Sequence, residues 1–292
     1  MKYIVTDLEW NGAYSKKAHG YFNEIIDVGA VAFDEQMREI GTFHRTINPI
    51  ISKKLSSVVK ELTHITQEEL EEHGGTFDSV MSAFAAWAGE EAVLLTWSNT
   101  DVLVLMENFT FFKKKPYIPF MAYYADIQPY CQRQMGVDTS QQMGLSRACE
   151  QLGISAEDSD LHRALDDAKL TAKIFAKLFE KTSFVPFVRK ADEEFYARML
   201  FKPTYINDID SPLIKRSDLS FACEHCGKNL HRKTKWGFRG KQFIAEFVCR
   251  TCKKTFTARV QYKQTFDGIE VKRRLREKLP PEKKTEEAES TE

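Results

Sequence analysis

Lys2-Tyr3-Ile4-Val5-Thr6-Asp7-Leu8-Glu9-Trp10 is an apolar stretch closed by two acids. Its β-branched and aromatic residues predict a strand. Side chains alternate across a strand, so Asp7 and Glu9 leave on one face, roughly 6.6 Å apart along the backbone. Tyr3 and Val5 share that face, while Ile4, Thr6 and Leu8 take the other. Both faces are apolar, as in a central strand with cover on both sides. Two carboxylates on one face of a buried strand repel each other and lose hydration. A divalent cation relieves both problems at once. A strand end with two solvated acids is the plain alternative, and the spacing alone leaves both open.

Working outward, Ile25–Phe33 predicts a second strand and Glu39–Ile47 a more polar third, with Asn11–Tyr21 as a long loop between the first two. Leu55–Leu62, Gln67–Glu72 and Phe77–Ala88 carry helical periodicity. Glu91–Trp97 is a strand pattern, followed by the helix-capping residues Ser98-Asn99-Thr100 and an apolar helix from Asp101. Tyr117–Ala125 predicts another strand, and Ile127–Met135 and Gly144–Leu152 further helices. Leu161–Lys181 is the strongest helical pattern in the chain. Three meandering strands followed by alternating helices and strands predict an α/β domain, a mixed sheet flanked by helices.

Within that last helix, Asp166, Lys169, Lys173 and Lys177 fall on a charged face, and Asp167, Leu170, Thr171, Ile174 and Leu178 on an apolar one. Of two adjacent aspartates, Asp167 is therefore driven against the sheet. A buried carboxylate needs a cation or a raised pKa. His162 falls at or before the helix start, free to project into the same cleft. Asp101, in the first turn of its own helix, complements the helix dipole, and it reaches Asp7 if the two strands that precede these residues are neighbours.

In that order, Asp7-x-Glu9, Asp101, His162 and Asp167 resemble the four acids and histidine of the DEDDh exonucleases, the DnaQ-like group that includes RNase T and polymerase proofreading subunits. The resemblance covers roughly residues 1–182. Glu24–Val31 looks like that family's second strand, and Leu62-Thr63-His64-Ile65-Thr66 like its Thr-Gly-Ile-Thr segment. His162–Ala168 is close to its third motif. Trp97–Asp101 is similar to the second motif of the Eri-like branch, which acts on RNA. The resemblance implies an RNase H-like exonuclease fold and two Mg²⁺ or Mn²⁺ ions. By the same resemblance Asp7 bridges the ions, Glu9 and Asp167 hold the one that activates water, Asp101 supports the other, and His162 takes the proton. It implies 5′-mononucleotides released from the 3′ end of single-stranded nucleic acid, with RNA favoured and DNA left open. Trp10-Asn11-Gly12 and His64 depart from the family's usual residues near the terminal nucleotide. Trp10, Asn11, His64 and Ile65 are therefore candidate substrate contacts.

The chain holds 42 basic and 42 acidic residues, yet its charge is segregated. Ser220–Arg276 carries fifteen Lys/Arg against four Asp/Glu, and the remainder carries the matching excess of acid. An acidic body with a basic annex predicts that the annex meets a polyanion. The annex also holds Cys223-x-x-Cys226 and Cys249-x-x-Cys252, which predict a closed tetrahedral site for one structural Zn²⁺. The pair resembles a zinc ribbon. Basic residues interleave with aromatics there; Arg239 and Trp236 are candidate nucleic-acid contacts. Phe247 and Phe256 are expected in the ribbon's core. A protein partner for the ribbon is the other reading.

The expected organisation is an exonuclease domain at 1–182, a connector at 183–220, a ribbon at 221–262, and a basic then disordered tail at 263–292. No apolar run reaches the roughly 18 residues of a membrane span, and no signal pattern opens the chain. A cytoplasmic protein is expected. Two other functions stay open: a DNA-directed proofreading or repair exonuclease, and a non-catalytic adaptor that binds nucleic acid or protein.

Overall fold

The computed structural model describes residues 2–52, 54–155 and 163–278. It divides into two compact units, Met1–Met199 and Leu200–Glu292.

The first unit is the expected mixed sheet flanked by helices. Its strands are β1 (Lys2–Ser15), β2 (Gly20–Phe33), β3 (Glu39–Thr46), β4 (Ala92–Thr96), β5 (Tyr123–Asp126) and β6 (Arg189–Lys190). They lie in the order β3-β2-β1-β4-β5-β6. β1, β2 and β3 meander antiparallel, and β4 then adds to the other edge of β1 in parallel. The sheet thus branches at β1, and clefts beside such switch points are where open α/β sheets bind ligands. Its helices are α1 (Ser57–Thr63), α2 (Gln67–His73), α3 (Phe77–Ala88), α4 (Thr100–Lys113), α5 (Gln128–Gln134), α6 (Leu145–Leu152), α7 (Ala164–Leu178), α8 (Lys181–Phe184) and α9 (Glu193–Leu200).

The alternation along β1 divides the core as the sequence predicts. Ile4 and Leu8 enter a layer with Phe84 of α3, Val102 and Phe109 of α4, and Tyr196 of α9. Tyr3 and Val5 enter the opposite layer with Tyr130 of α5, Cys149 of α6 and Phe175 of α7. Helix starts follow local chemistry: Ser56, Thr66 and Thr76 each cap a helix by accepting a backbone N–H in the first turn.

Three expectations change. Asn11–Tyr21 is no loop: β1 and β2 continue as a hairpin to the Ser15–Gly20 pair, leaving only residues 16–19 in the turn. Cross-strand hydrogen bonds hold this segment, which has too few apolar residues for periodicity to reveal it. The strand expected at Tyr117–Ala125 shrinks to β5. Pro119 cannot donate to a ladder, and the Ile118 N–H goes instead to the Tyr196 hydroxyl at 3.0 Å. Asn99 precedes α4 but does not cap it; its side chain accepts the Tyr124 hydroxyl at 2.9 Å.

The second unit is built on β7 (Thr204–Tyr205), β8 (His231–Arg232), β9 (Gly237–Arg239), β10 (Gln242–Val248), β11 (Thr255–Thr265) and β12 (Gly268–Glu277). The sheet order is β12-β11-β10-β8, with β7 on β11 and β9 on β10. Phe243, Phe247, Phe256, Val260 and Tyr262 fill its core beside Phe221 and Leu230. The sheet reaches beyond the expected 221–262 at both ends. Residues 268–277, placed in the tail, pair along β11, because Ile269 and Leu275 pack against that core. Part of the expected connector, residues 189–199, belongs to the first unit as β6 and all but the last residue of α9. Residues 279–292 lie outside the described residues.

Candidate active site

β4 pairs with β1 only as far as the Val5–Leu95 pair. Beyond it one edge of β1 is open, and the acids stand there. The Leu8 N–H on this stretch is taken by the Asp101 carboxylate at 3.1 Å, from the first turn of α4. Asp101 is 7% exposed, so this bond holds its carboxylate beside Asp7.

Opposite, α7 packs across β1 and β2. Gly29, which pairs with Asp7, makes this approach possible: a Cβ at Gly29 would overlap the Ala164 carbonyl group and the Leu165 nitrogen. Arg163 caps α7 with no side-chain bond. The fully buried Asp27, paired with Glu9 on β2, serves instead: it accepts from Ala164 N at 3.4 Å and Arg163 Nε at 3.2 Å. Arg163 also bonds Glu69 of α2 at 2.7 Å, and His44 Nε2 lies 2.8 Å from Asp27. A negative group at a helix N-terminus is favoured by the helix dipole. Sequence reading missed this role of Asp27; the signal was one charge inside the apolar run Ile25–Phe33.

Seated in this way, α7 brings Asp167 to Asp7 and Glu9, with one ligand atom from each within 4.8 Å of the others. Asp166 turns away to Lys169 at 3.1 Å. Burial, followed by the neighbouring carboxylates, holds Glu9 up to about 8 and pushes Asp7 well above the usual range. Among those neighbours Asp101 acts most strongly on Asp7. Burial holds Asp101 up to about 7. Asp126, at the end of β5, is a further acid nearby, raised to about 6 by burial. Crowded, hard oxygen donors that resist ionising alone fit a divalent cation of the Mg²⁺ or Mn²⁺ type. His162 lies outside the described residues.

The structure places the other candidates variously. Asn11 is 1% exposed and its amide is committed to the fold: it donates to Ser52 Oγ and the Lys54 carbonyl and accepts from Ser56 N. Ile65 is 1% exposed in a small cluster with Ile26, Leu55 and Leu70. Neither is thereby available to substrate. Trp10 is half-buried against the core, and His64 is exposed as the left-handed cap of α1. Arg239 is exposed on β9, and Trp236 packs edge-on against Phe247, ring centroids 5.7 Å apart.

In the second unit the four cysteines offer ligand atoms within 4.8 Å of one another. The two turns are alike. Cys223 N–H donates to Lys228 O and Cys249 N–H to Lys254 O, while Gly227 and Lys253 take left-handed conformations at φ 70° and 58°. His225 stands outside the cluster, with Nε2 2.7 Å from Glu277. Four sulfurs in two such turns are the donor set of a structural zinc site.

The family model for exonucleases of the RNase_T kind matches residues 4–175. This chain belongs to the exonuclease family. A member of that family, the probable 3′–5′ exonuclease KapD of Bacillus subtilis (strain 168), is 30% identical over 182 residues, 61% of this chain and 84% of KapD. A PolC-type DNA polymerase III of Clostridium perfringens is 29% identical over 180 residues, 62% of this chain but 11% of the polymerase. Among solved structures, the nuclease domain of 3′hExo, a DEDDh family member bound to rAMP, superposes with TM-score 0.52 at 24% identity, covering 60% of this chain and 90% of that one. A full-length 3′-exonuclease gives TM-score 0.52 at 23%, covering 60% of this chain and 59% of that one. These two share the fold. The exonuclease match ends before the four-cysteine unit, which has the form of a zinc ribbon. Among the described residues no helix is long and apolar enough to cross a membrane.

Proposed function

We propose that this exonuclease is a divalent-metal-dependent 3′–5′ enzyme that releases 5′-mononucleotides from single-stranded nucleic acid, with RNA as the preferred substrate. The convergence of Asp7, Glu9 and Asp167 carries this reading. In it these three acids hold one Mg²⁺ or Mn²⁺, and Asp7 and Asp101 the second. Bound there, such cations neutralise charge on a phosphodiester and lower the pKa of water. The Leu8 N–H keeps Asp101 oriented, Asp27 and Arg163 keep the start of α7 seated, and His162, next to Arg163, accepts the proton of the attacking water. A single Zn²⁺ held by Cys223, Cys226, Cys249 and Cys252 staples the ribbon. The RNA preference rests on the resemblance of Trp97–Asp101 to the Eri-like motif. A DNA-directed reading is favoured by the polymerase relative at 29% identity.

The test is digestion of 5′-labelled single-stranded RNA and DNA with Mg²⁺, with Mn²⁺ and with EDTA, beside Asp7→Ala. A metal-dependent ladder shortening from the 3′ end, absent in the variant, is expected, with RNA cleaved faster. Faster DNA cleavage would select the second reading. Retention of both without cleavage would make the chain an adaptor.

A further inference from the structure

The ribbon's strand register sorts its charges from its rings. Residues directly opposite in an antiparallel pair share a face. Arg276 is opposite Thr257 and hence Glu246, Arg274 is opposite Arg259 and hence Ile244, and Lys272 is opposite Gln261. Gln242 continues that last row and pairs with Arg239, and Lys263 is opposite Glu270. One face of the sheet therefore carries Arg239, Arg259, Lys263, Lys272, Arg274 and Arg276 against two carboxylates, Glu246 and Glu270. Glu246 is already tied to Lys278 at 2.6 Å. Arg239, Arg259, Lys272, Arg274 and Arg276 are exposed and form no ion pair among the described residues.

The rings lie on the other side. Phe243, Phe247, Phe256 and Tyr262 are buried in the core, and Phe238 pairs with Phe243. On the cationic face the register places one ring, Tyr205 opposite Lys263, half-buried beneath the Lys241 ammonium at 5.1 Å. Sheets that hold single strands do so by stacking bases on exposed aromatics. This face offers no free ring for that. It offers cations in rows across neighbouring strands about 4.8 Å apart, and along each strand at about 6.7 Å. Such an array matches phosphates presented densely and rigidly, and a double helix carries about one charge per 1.7 Å of its axis.

We infer that this outer face of the ribbon sheet binds the phosphate backbone of a double-helical segment of the substrate, independently of sequence. The inference rests on the exonuclease reading, whose substrate it specifies: a structured nucleic acid with a single-stranded 3′ end.

The test uses the full chain in the Asp7→Ala background, so that probes survive. Binding of an RNA stem with a short 3′ tail is compared with an unstructured RNA of equal length, each across a salt series. Arg259→Ala/Lys272→Ala/Arg274→Ala is compared with Lys228→Ala/Lys235→Ala/Arg250→Ala, which removes the same charge from loops and turns of the ribbon. Zinc content and circular dichroism confirm that both ribbons fold. The face variant is expected to bind the stem probe with a log–log salt slope lower by about 2–3, at roughly 0.9 per lost phosphate contact, and the control variant to match the parent. An unchanged slope, or the same loss on the unstructured RNA, overturns the inference. With Asp7 restored, hydrolysis of bis(p-nitrophenyl) phosphate reads the acid site alone. Its absence from the wild-type chain would refute the exonuclease reading while leaving the binding result intact.

Discussion

At the residue scale, two adjacent aspartates separate by what each faces. Asp166 meets the exposed Lys169, an i,i+3 surface pair worth a few tenths of a kcal/mol. Asp167 meets two other carboxylates. Asp167→Ala is expected to abolish cleavage, and Asp166→Ala to leave kcat/KM within about twofold, a difference near 0.4 kcal/mol. Equal damage from both would overturn the face assignment. The same acids set a pH dependence. Burial and neighbouring charge raise Glu9 to about 8 and Asp101 to about 7, and push Asp7 the same way. Unfolded carboxylates titrate near 4, so between about pH 4 and 8 these acids hold more protons in the metal-free folded chain than in the unfolded one. The stability these groups contribute is complete at the acid end and is lost as pH rises through 7–8. The melting temperature of the metal-free first unit is expected to fall from pH 5 to pH 9, and Mn²⁺ to offset the fall. A rise over that range without metal would contradict the crowding of these acids.

At the element scale, the site depends on how closely α7 approaches the sheet. Gly29 lets the backbone of Ala164 and Leu165 lie against β2, and Asp27 fastens the helix end through Arg163 and Ala164 N–H. Gly29→Ala adds one methyl to a contact with no room. We expect a loss of about 1–3 kcal/mol in urea denaturation. Because α7 must shift to relieve the overlap, Mn²⁺ affinity should fall as well. Unchanged metal affinity would show that Asp167 is placed independently of the Gly29 contact. The hairpin of β1 and β2 belongs to the same scale. Its pairing extends to Ser15 and Gly20, leaving Tyr14 and Tyr21 as exposed cross-strand partners.

At the scale of the whole molecule, the two units are held by different means. The first has two apolar layers, one on each face of its sheet. The second has a single small core and a cysteine cluster at one end. Small domains of this kind need a staple. Removing zinc with a chelator, or replacing Cys249 with Ser, is expected to expose the second unit to proteolysis while a fragment covering the first survives. Survival of both units without zinc would show that the aromatic core suffices.

Some of this was legible in the chain alone. Alternation along Lys2–Trp10 divided one core layer from the other and put Asp7 with Glu9, because a strand's period of two leaves no other choice. Helical periodicity separated Asp167 from Asp166, and paired Cys-x-x-Cys turns announced the cysteine cluster. Those are local rules, and local sequence determines them. Tertiary structure alone decided that Asn11 and Ile65 are buried and that Asp27 caps a helix 137 residues away. It also decided that the ribbon's cations share a face. Each depends on which strands and helices become neighbours. Long-range pairing and packing choose those neighbours, and no window of sequence contains them.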